Sequence, residues 1–327
     1  MPPTCSANDL FSILAPFPLL VAEAVCEVHD VALPDYPDGP RPSSIVTLRG
    51  DGERGHGELV AWTRAAHEDF AARVRDIPRG AVRLGEWSVA VGKQFPDPYE
   101  RAALEAAALD LALLQHGTNL FRLSGATPRP VRYVVSFGRA RDPLPLVARE
   151  PADAQLKIDV DPSWSDGTWA ALAELGRVAV LDFKGNANAV DLERALHILP
   201  DAFVEDPGPS VHLPAALRAR LSADAPLTSA EALEALPIRP AAANVKPARM
   251  GGVLEALACV ARCEALGIAT YFGGMFEVGS GRRQLRDLAA LLAPDGPNDI
   301  APLAIAAERA PRPARLEVDS ARPGFGA

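Results

Sequence analysis

Hydrophobic and polar positions fall into two textures that divide the chain near residue 125. From Leu19 to about Leu59, short apolar runs alternate with turn residues. One run ends at Leu33, a Pro/Gly-rich loop PDYPDGPRPS follows, and SIVTLRGDGERGHGEL reads as two short strands around a Gly-rich turn. Helical periodicity then takes over in TRAAHEDFAARVRD and in the long block DPYERAALEAAALDLALLQHG, which opens on the capping pair Asp97 and Pro98 and stops at Gly117. Together these elements predict an α+β module over residues 1–125.

After LSGATPRP the chain alternates short apolar strands with helical segments, the signature of βα units around a parallel sheet. Strands are predicted at VRYVVSFG, AQLKIDV, VAVLDFKG, AFVEDP, RLSADAPL, AANVKPA and ATYFGGMFE, with a further one near IAPLAI. Seven or eight such units in under 200 residues leave room for a compact (β/α) barrel with short helices over residues 126–310. The last segment, 311–327, is expected to return to the N-terminal module. In such a barrel the working residues project from the C-terminal ends of the strands. Side chains alternate along a strand, so Gln155, Lys157 and Asp159 share a face, as do Asp182 with Lys184, Phe203 with Glu205, and Asn244 with Lys246.

Composition narrows what such a barrel serves. At 327 residues, 48% hydrophobic and 23% charged, the chain has ample material for a globular core. A net charge of -9 without any basic run argues against nucleic acid or an anionic membrane as partner. The cysteines Cys5, Cys26, Cys259 and Cys263 form no metal or redox pattern. The apolar patch Ile13 to Val25 contains Pro16, Pro18 and Glu23 and lacks a basic leader, which argues against a signal peptide, and no stretch approaches a membrane span. A reduced, cytoplasmic setting is the expectation, with a homo-oligomer left open.

Only four of the 33 basic residues are lysines, and Lys157, Lys184 and Lys246 lie inside strand-like runs. A bias toward arginine codons accounts for the scarcity but not for that placement. A desolvated lysine loses its proton near neutral pH and an arginine does not, so these three are candidates for proton transfer. The acids Asp182, Glu205 and Asp224, on consecutive strands, would form an oxygen-only cluster suited to a hard divalent ion, Mg²⁺ or in its place Mn²⁺. Each acid alone reads equally as a helix cap or salt-bridge partner; a closed barrel brings all of them to one mouth.

These segments resemble the enolase superfamily, in particular its muconate-lactonizing-enzyme-like branch that includes o-succinylbenzoate synthases. AQLKIDVDP resembles the strand-two segment, with Lys157 at the catalytic lysine and Gln155 where a helper lysine usually stands. VLDFKGN, AFVEDP and LSADAPLTS resemble the metal-ligand strands and imply ligands at Asp182, Glu205 and Asp224. NVKPARMGGVLEAL carries Lys246, the second catalytic lysine, and GGMFEVGSGR matches the strand-seven turn. The N-terminal module resembles the family's capping domain. In a register two residues off, Lys157 would be the helper and Asp159 would take the catalytic place. Ala225 stands where many relatives carry Glu, which makes Glu231 an alternative ligand. Lys184 occupies the place of a histidine in some acid-sugar dehydratases, either for proton transfer or to neutralise a substrate carboxylate.

The resemblance implies a modified TIM barrel with a capping domain and a Mg²⁺-dependent lyase or isomerase. Such an enzyme removes a proton α to the carboxylate of a small-molecule substrate through an enediolate intermediate. The expected reaction is β-elimination of the o-succinylbenzoate synthase type, with cycloisomerisation or N-acylamino acid racemisation as alternatives. PNDIAPLAI lacks the D-x-D associated with dipeptide epimerases, and ATYFGGMFE lacks a mandelate-racemase-like histidine. Pro34–Ser43 and Glu58–Arg64, with Trp62, are candidates to close over the substrate, although Trp62 serves equally as packing between cap and barrel. Two readings of another class remain: a barrel that binds a ligand without turnover, and an aldolase with a Schiff-base lysine.

Overall fold

The structure is a computed structural model, and it describes residues 5–32, 40–208, 213–301 and 313–325. Five cap strands come first: β1 (Pro18–Val21), β2 (Glu23–Val31), β3 (Arg41–Gly50), β4 (Glu53–Leu59) and β5 (Gly80–Arg83). β2, β3 and β4 form an antiparallel sheet, with the β3–β4 hairpin turning at Asp51 and Gly52. The apolar run that ends at Leu33 is broken at Ala22, where the chain leaves one sheet for another. β1 pairs antiparallel with β5, a strand too short for the sequence pattern to reveal. Most of the loop Pro34–Ser43 lies outside the described residues, and its end, from Arg41, belongs to β3.

The helix Pro98–Gln115 is the hinge of the architecture. Asp97 caps it, with Oδ1 accepting the N–H groups of Tyr99 and Glu100 at 2.8 and 3.3 Å. Its Ala-rich middle is buried on all sides because it lies between the β3–β4 sheet and the barrel. Gly57 makes this approach possible: a Cβ there would stand 1.9 Å from the Ala103 carbonyl oxygen.

Seven parallel strands follow: β6 (Val134–Phe137), β7 (Gln155–Asp159), β8 (Val178–Asp182), β9 (Phe203–Glu205), β10 (Leu221–Ala223), β11 (Ala242–Val245) and β12 (Ala269–Phe272). They pair in sequence order, and Asn298–Asp299 bridges both edges, Asn298 to Tyr133 before β6 and Asp299 to Gly273 after β12. The buried Asn298 amide fixes this closure, accepting from Phe272 N and donating to the carbonyls of Arg132, Ala293 and Gly296. Most of the expected strand IAPLAI lies outside the described residues. The fold is a modified TIM barrel under an α+β cap, with an antiparallel contact, Val131 to Leu316, leading the chain end back toward helix Pro98–Gln115, where Asp110 accepts Phe325 N. No helix among the described residues is long and apolar enough to cross a membrane.

Cap side chains fasten onto barrel helix ends. Glu105 accepts Leu254 N at the start of helix Val253–Leu266, and Glu58 accepts Val278 N and Gly279 N at the start of helix Ser280–Leu292. In both places a carboxylate meets the unpaired N–H groups that every helix start exposes.

Candidate active site

Lys157 of β7, Asp182 of β8, Glu205 of β9, Asp224 just past β10 and Lys246 just past β11 project to one end of the barrel, and all are buried. One oxygen each from Asp182, Glu205 and Asp224 lies within 4.8 Å of the other two. The Lys157 ammonium sits among them. It contacts Glu205 Oε1 and lies 3.2 Å from Asp182 Oδ2, 4.0 Å from Asp224 Oδ2 and 3.3 Å from Asp299 Oδ2. From β11, across the three acid-bearing strands, Lys246 Nζ comes within 2.9 Å of Asp224 Oδ2.

Lys184 stands at the rim, its side chain 44% exposed, in contact with Asp182 and 3.3 Å from Asp159 Oδ1. Its backbone is left-handed (φ 49°), and its N–H donates to Asp182 Oδ1 at 3.0 Å. Gln155 stands two residues earlier than Lys157, at the other end of the strand, where it lines a cavity of about 210 Å³ with Arg132, Tyr133 and Arg315. Its Oε1 is buried without a hydrogen-bond partner among the described residues. Glu231 is exposed in the first turn of helix Ala230–Glu234, outside the acidic cluster.

Several contributors carry no sequence signal of their own. Asp206, beside Glu205, accepts from Asp224 N and Ala225 N at 3.0 and 2.7 Å, so position 225 is held through its backbone. Arg249 donates to Asp224 Oδ1 at 2.5 Å. Asp299, on the segment set aside for lacking D-x-D, faces Lys157. Tyr271, to which the sequence gives no role, reaches Glu205 Oε2 at 2.5 Å. The Arg41 guanidinium lies 5.3 Å from the Trp62 ring and 4.9 Å from that of Phe276, joining the cap to the loop after β12.

The charges are set by competition between burial and neighbours. Burial pushes Lys157 toward the neutral amine, but Glu205, Asp299, Asp182 and Asp224 outweigh it and hold its pKa well above the ordinary value. Burial likewise opposes ionisation of Asp182, and Lys157 with Lys184 overrides it, bringing the pKa down to about 2. Asp224 is lowered further in spite of burial, by Lys246, Lys157 and Arg249. Glu205 goes the other way, raised by burial and by its acidic neighbours despite Lys157. Asp159 is raised by burial to about 6.

The donor set fits a hard divalent cation of the Mg²⁺ or Mn²⁺ kind. All ligand atoms are carboxylate oxygens, and their focus already accommodates positive charge in the form of the Lys157 ammonium. Fold and centre thus define a capped barrel enzyme with an oxygen-only acidic cluster flanked by lysines. Family models described as the N-terminal and C-terminal domains of the domain of unknown function DUF8230 match residues 14–123 and 127–306. The N-succinylamino acid racemase of Thermus thermophilus is 32% identical, covering 78% of this chain and 77% of that protein. The dipeptide epimerase of Methylococcus capsulatus, solved with Mg and L-Arg-D-Lys, superposes with a TM-score of 0.80 at 22% identity, covering 94% of this chain and 99% of that one. A probable mandelate racemase from Alicyclobacillus acidocaldarius has a TM-score of 0.72 at 22% identity, covering 93% and 94%. The chain belongs to the DUF8230 family and to the enolase superfamily.

Proposed function

We propose that this enzyme is a divalent-metal-dependent racemase or epimerase of an N-acylated amino acid or a similar small carboxylate, acting by removal and return of the proton α to the carboxylate. Its metal ligands are Asp182, Glu205 and Asp224, and its proton carriers are Lys157 and Lys246. The observation that carries this reading is the placement of two buried ammonium groups on β7 and just past β11, on either side of the acid-bearing strands and both within 4.0 Å of Asp224 Oδ2. Two amine carriers on opposite flanks are what inversion at a single carbon requires. The racemase relative supports the same reading.

A bound Mg²⁺ would neutralise charge that develops on the substrate carboxylate as the proton leaves, an effect of several kcal/mol. Lys157 has the environment of a tunable base, since burial favours the neutral amine and only the surrounding carboxylates keep the proton on. Once those carboxylates are committed to another cation, that hold is withdrawn. Lys184, half-exposed at the rim against Asp182, would neutralise a substrate carboxylate or take part in proton transfer.

β-Elimination of the o-succinylbenzoate synthase type is the second reading. It needs Lys157 as base and Lys246 only as a stationary cation, a role that the contact with Asp224 also suits. Incubation of both enantiomers of N-succinyl amino acids in D₂O with Mg²⁺, followed by NMR, separates the two. Racemisation predicts exchange from both enantiomers, with Lys157→Arg and Lys246→Arg each losing about 10²–10⁴-fold, the usual contribution of a general base. Elimination predicts a severe loss for Lys157→Arg, a milder one for Lys246→Arg, and turnover of hydroxylated cyclohexene or cyclohexadiene carboxylates. Full turnover in both variants would remove proton transfer from the account.

A further inference from the structure

Each carboxylate of the acidic cluster has one oxygen held on the side away from the Lys157 ammonium and the other on the Lys157 side, where Asp182 Oδ2 also meets Lys184 and Asp224 Oδ2 also meets Lys246. Asp182 Oδ1 takes the Lys184 N–H at 3.0 Å, and Asp224 Oδ1 takes Arg249 at 2.5 Å. For Glu205 the tether is Tyr271, whose phenol donates to Oε2 at 2.5 Å, while Asn244 Nδ2 approaches the same oxygen at 3.4 Å. That leaves Oε1 facing Lys157.

Tyr271 is itself held in place. It lies on β12 with its hydroxyl 2.7 Å from Ser222 Oγ of β10, and its ring stacks on Phe203 of β9 at 6.4 Å. The ring and Glu205 are both fully buried, so water does not compete for Oε2. A phenylalanine would fill the same space without burying a hydroxyl, so the hydroxyl's cost is met only by what it binds.

Ion choice follows from the number of oxygens offered. Mg²⁺ demands a near-regular octahedron at 2.0–2.1 Å and keeps several waters, whereas Ca²⁺ takes 6–8 oxygens and readily accepts a carboxylate through both of its oxygens. With one oxygen from each acid, half of an octahedron remains for water and substrate. If Glu205 offered both, the centre would gain a fourth protein donor and lose an open position.

We propose that Tyr271, braced by Ser222, restricts Glu205 to one coordinating oxygen and so sets the centre's preference for a small octahedral ion over Ca²⁺. Tyr271 is a positioning residue in this scheme, and the inference rests on the metal-centre reading of Asp182, Glu205 and Asp224. Calorimetric titration of the metal-stripped full chain with Mg²⁺ and, separately, with Ca²⁺ tests it. In Tyr271→Phe the Mg²⁺ affinity falls by about 10- to 100-fold, the usual effect of removing a group that orients a metal ligand, while Ca²⁺ affinity holds or rises. Ser222→Ala moves the Mg²⁺/Ca²⁺ ratio in the same direction by less. An unchanged ratio in a Tyr271→Phe protein whose metal-free melting matches wild type overturns the inference and leaves the metal centre standing. Should Tyr271→Phe fail to fold, Ser222→Ala decides by the same ratio. A wild-type chain that binds neither ion removes the metal centre and the inference together.

Discussion

Asp182 and Asp287 are both buried carboxylates of one chain, yet the first is held down at about pKa 2 and the second is pushed up to about 7. Burial raises both, so depth does not separate them. What differs is the company. Asp182 at the barrel mouth touches Lys184 and lies 3.2 Å from Lys157. Asp287, on the barrel helix that packs against the cap, has Arg286 at 3.5 Å as its ion-pair partner among the described residues, and it also feels Arg283 and the acidic Asp110. Glu105, Asp110 and Glu277 follow Asp287: backbone N–H groups satisfy them, and burial raises each. One protein therefore holds two acidic populations, a charged one braced by neighbouring cations, Asp182 and Asp224 at the mouth, and one inclined to neutrality, the acids of the cap seam together with Glu205 inside the mouth.

The largest expected effect comes from removing the brace. Lys157→Met leaves three buried carboxylates without their central cation and should destabilise the metal-free protein by about 3–5 kcal/mol, the usual loss when one partner of a buried pair is deleted. Mg²⁺ should then restore more stability to the variant than it adds to wild type, because in wild type it must displace an ammonium. Urea unfolding with and without Mg²⁺ measures both, and unchanged metal-free stability would erase the distinction between the two populations.

A smaller effect is expected at the seam. Because the folded pKa of Asp287 lies above its unfolded value near 4, the folded state binds the extra proton, and this contribution is fully present below about pH 4 and lost as pH rises through about 7. Asp287→Asn lacks that titration. Wild-type stability relative to the variant should thus decline across this window by at most about 1.4 kcal/mol per pH unit, as read from urea midpoints at several pH values. A difference that rises with pH would mean that Asp287 is braced as Asp182 and Asp224 are.

The smallest change should come from Glu105→Gln. Burial already favours the neutral acid there, the amide oxygen still accepts Leu254 N, and the Ser88 hydroxyl can reverse its role. We expect a loss of about 1 kcal/mol or less, the scale of one net hydrogen bond. A loss as large as that of Lys157→Met would show that the seam, too, depends on ionised carboxylates.

Much of the barrel was legible because strand side chains alternate strictly. Placing Lys157, Asp182, Glu205, Asp224 and Lys246 at strand ends required only that periodicity, and the structure gathers all five at one mouth. Pattern failed where a residue's meaning depends on a strand far away in sequence. Tyr271 acquires its meaning only from Glu205, 66 residues earlier, whose oxygen accepts its hydroxyl. Asp206 carries no signal of its own beside Glu205, although its carboxylate holds the next strand's turn. Gln155 shares a face with Lys157 yet ends in a cavity at the opposite end of the strand, because two residues of rise separate the layers of a barrel.

By itself the sequence determined the order of elements, the residue types that reach the mouth, and a net charge of -9 without a basic run. These are local properties, set by side-chain period and composition. Only the tertiary structure decided which carboxylates stay charged, which oxygen of each faces the centre, and that Asp299 and Tyr271 join it. The reason is physical: a buried charge is tolerated or refused according to neighbours a few ångströms away, and in a closed barrel those neighbours come from strands that the chain visits dozens of residues apart.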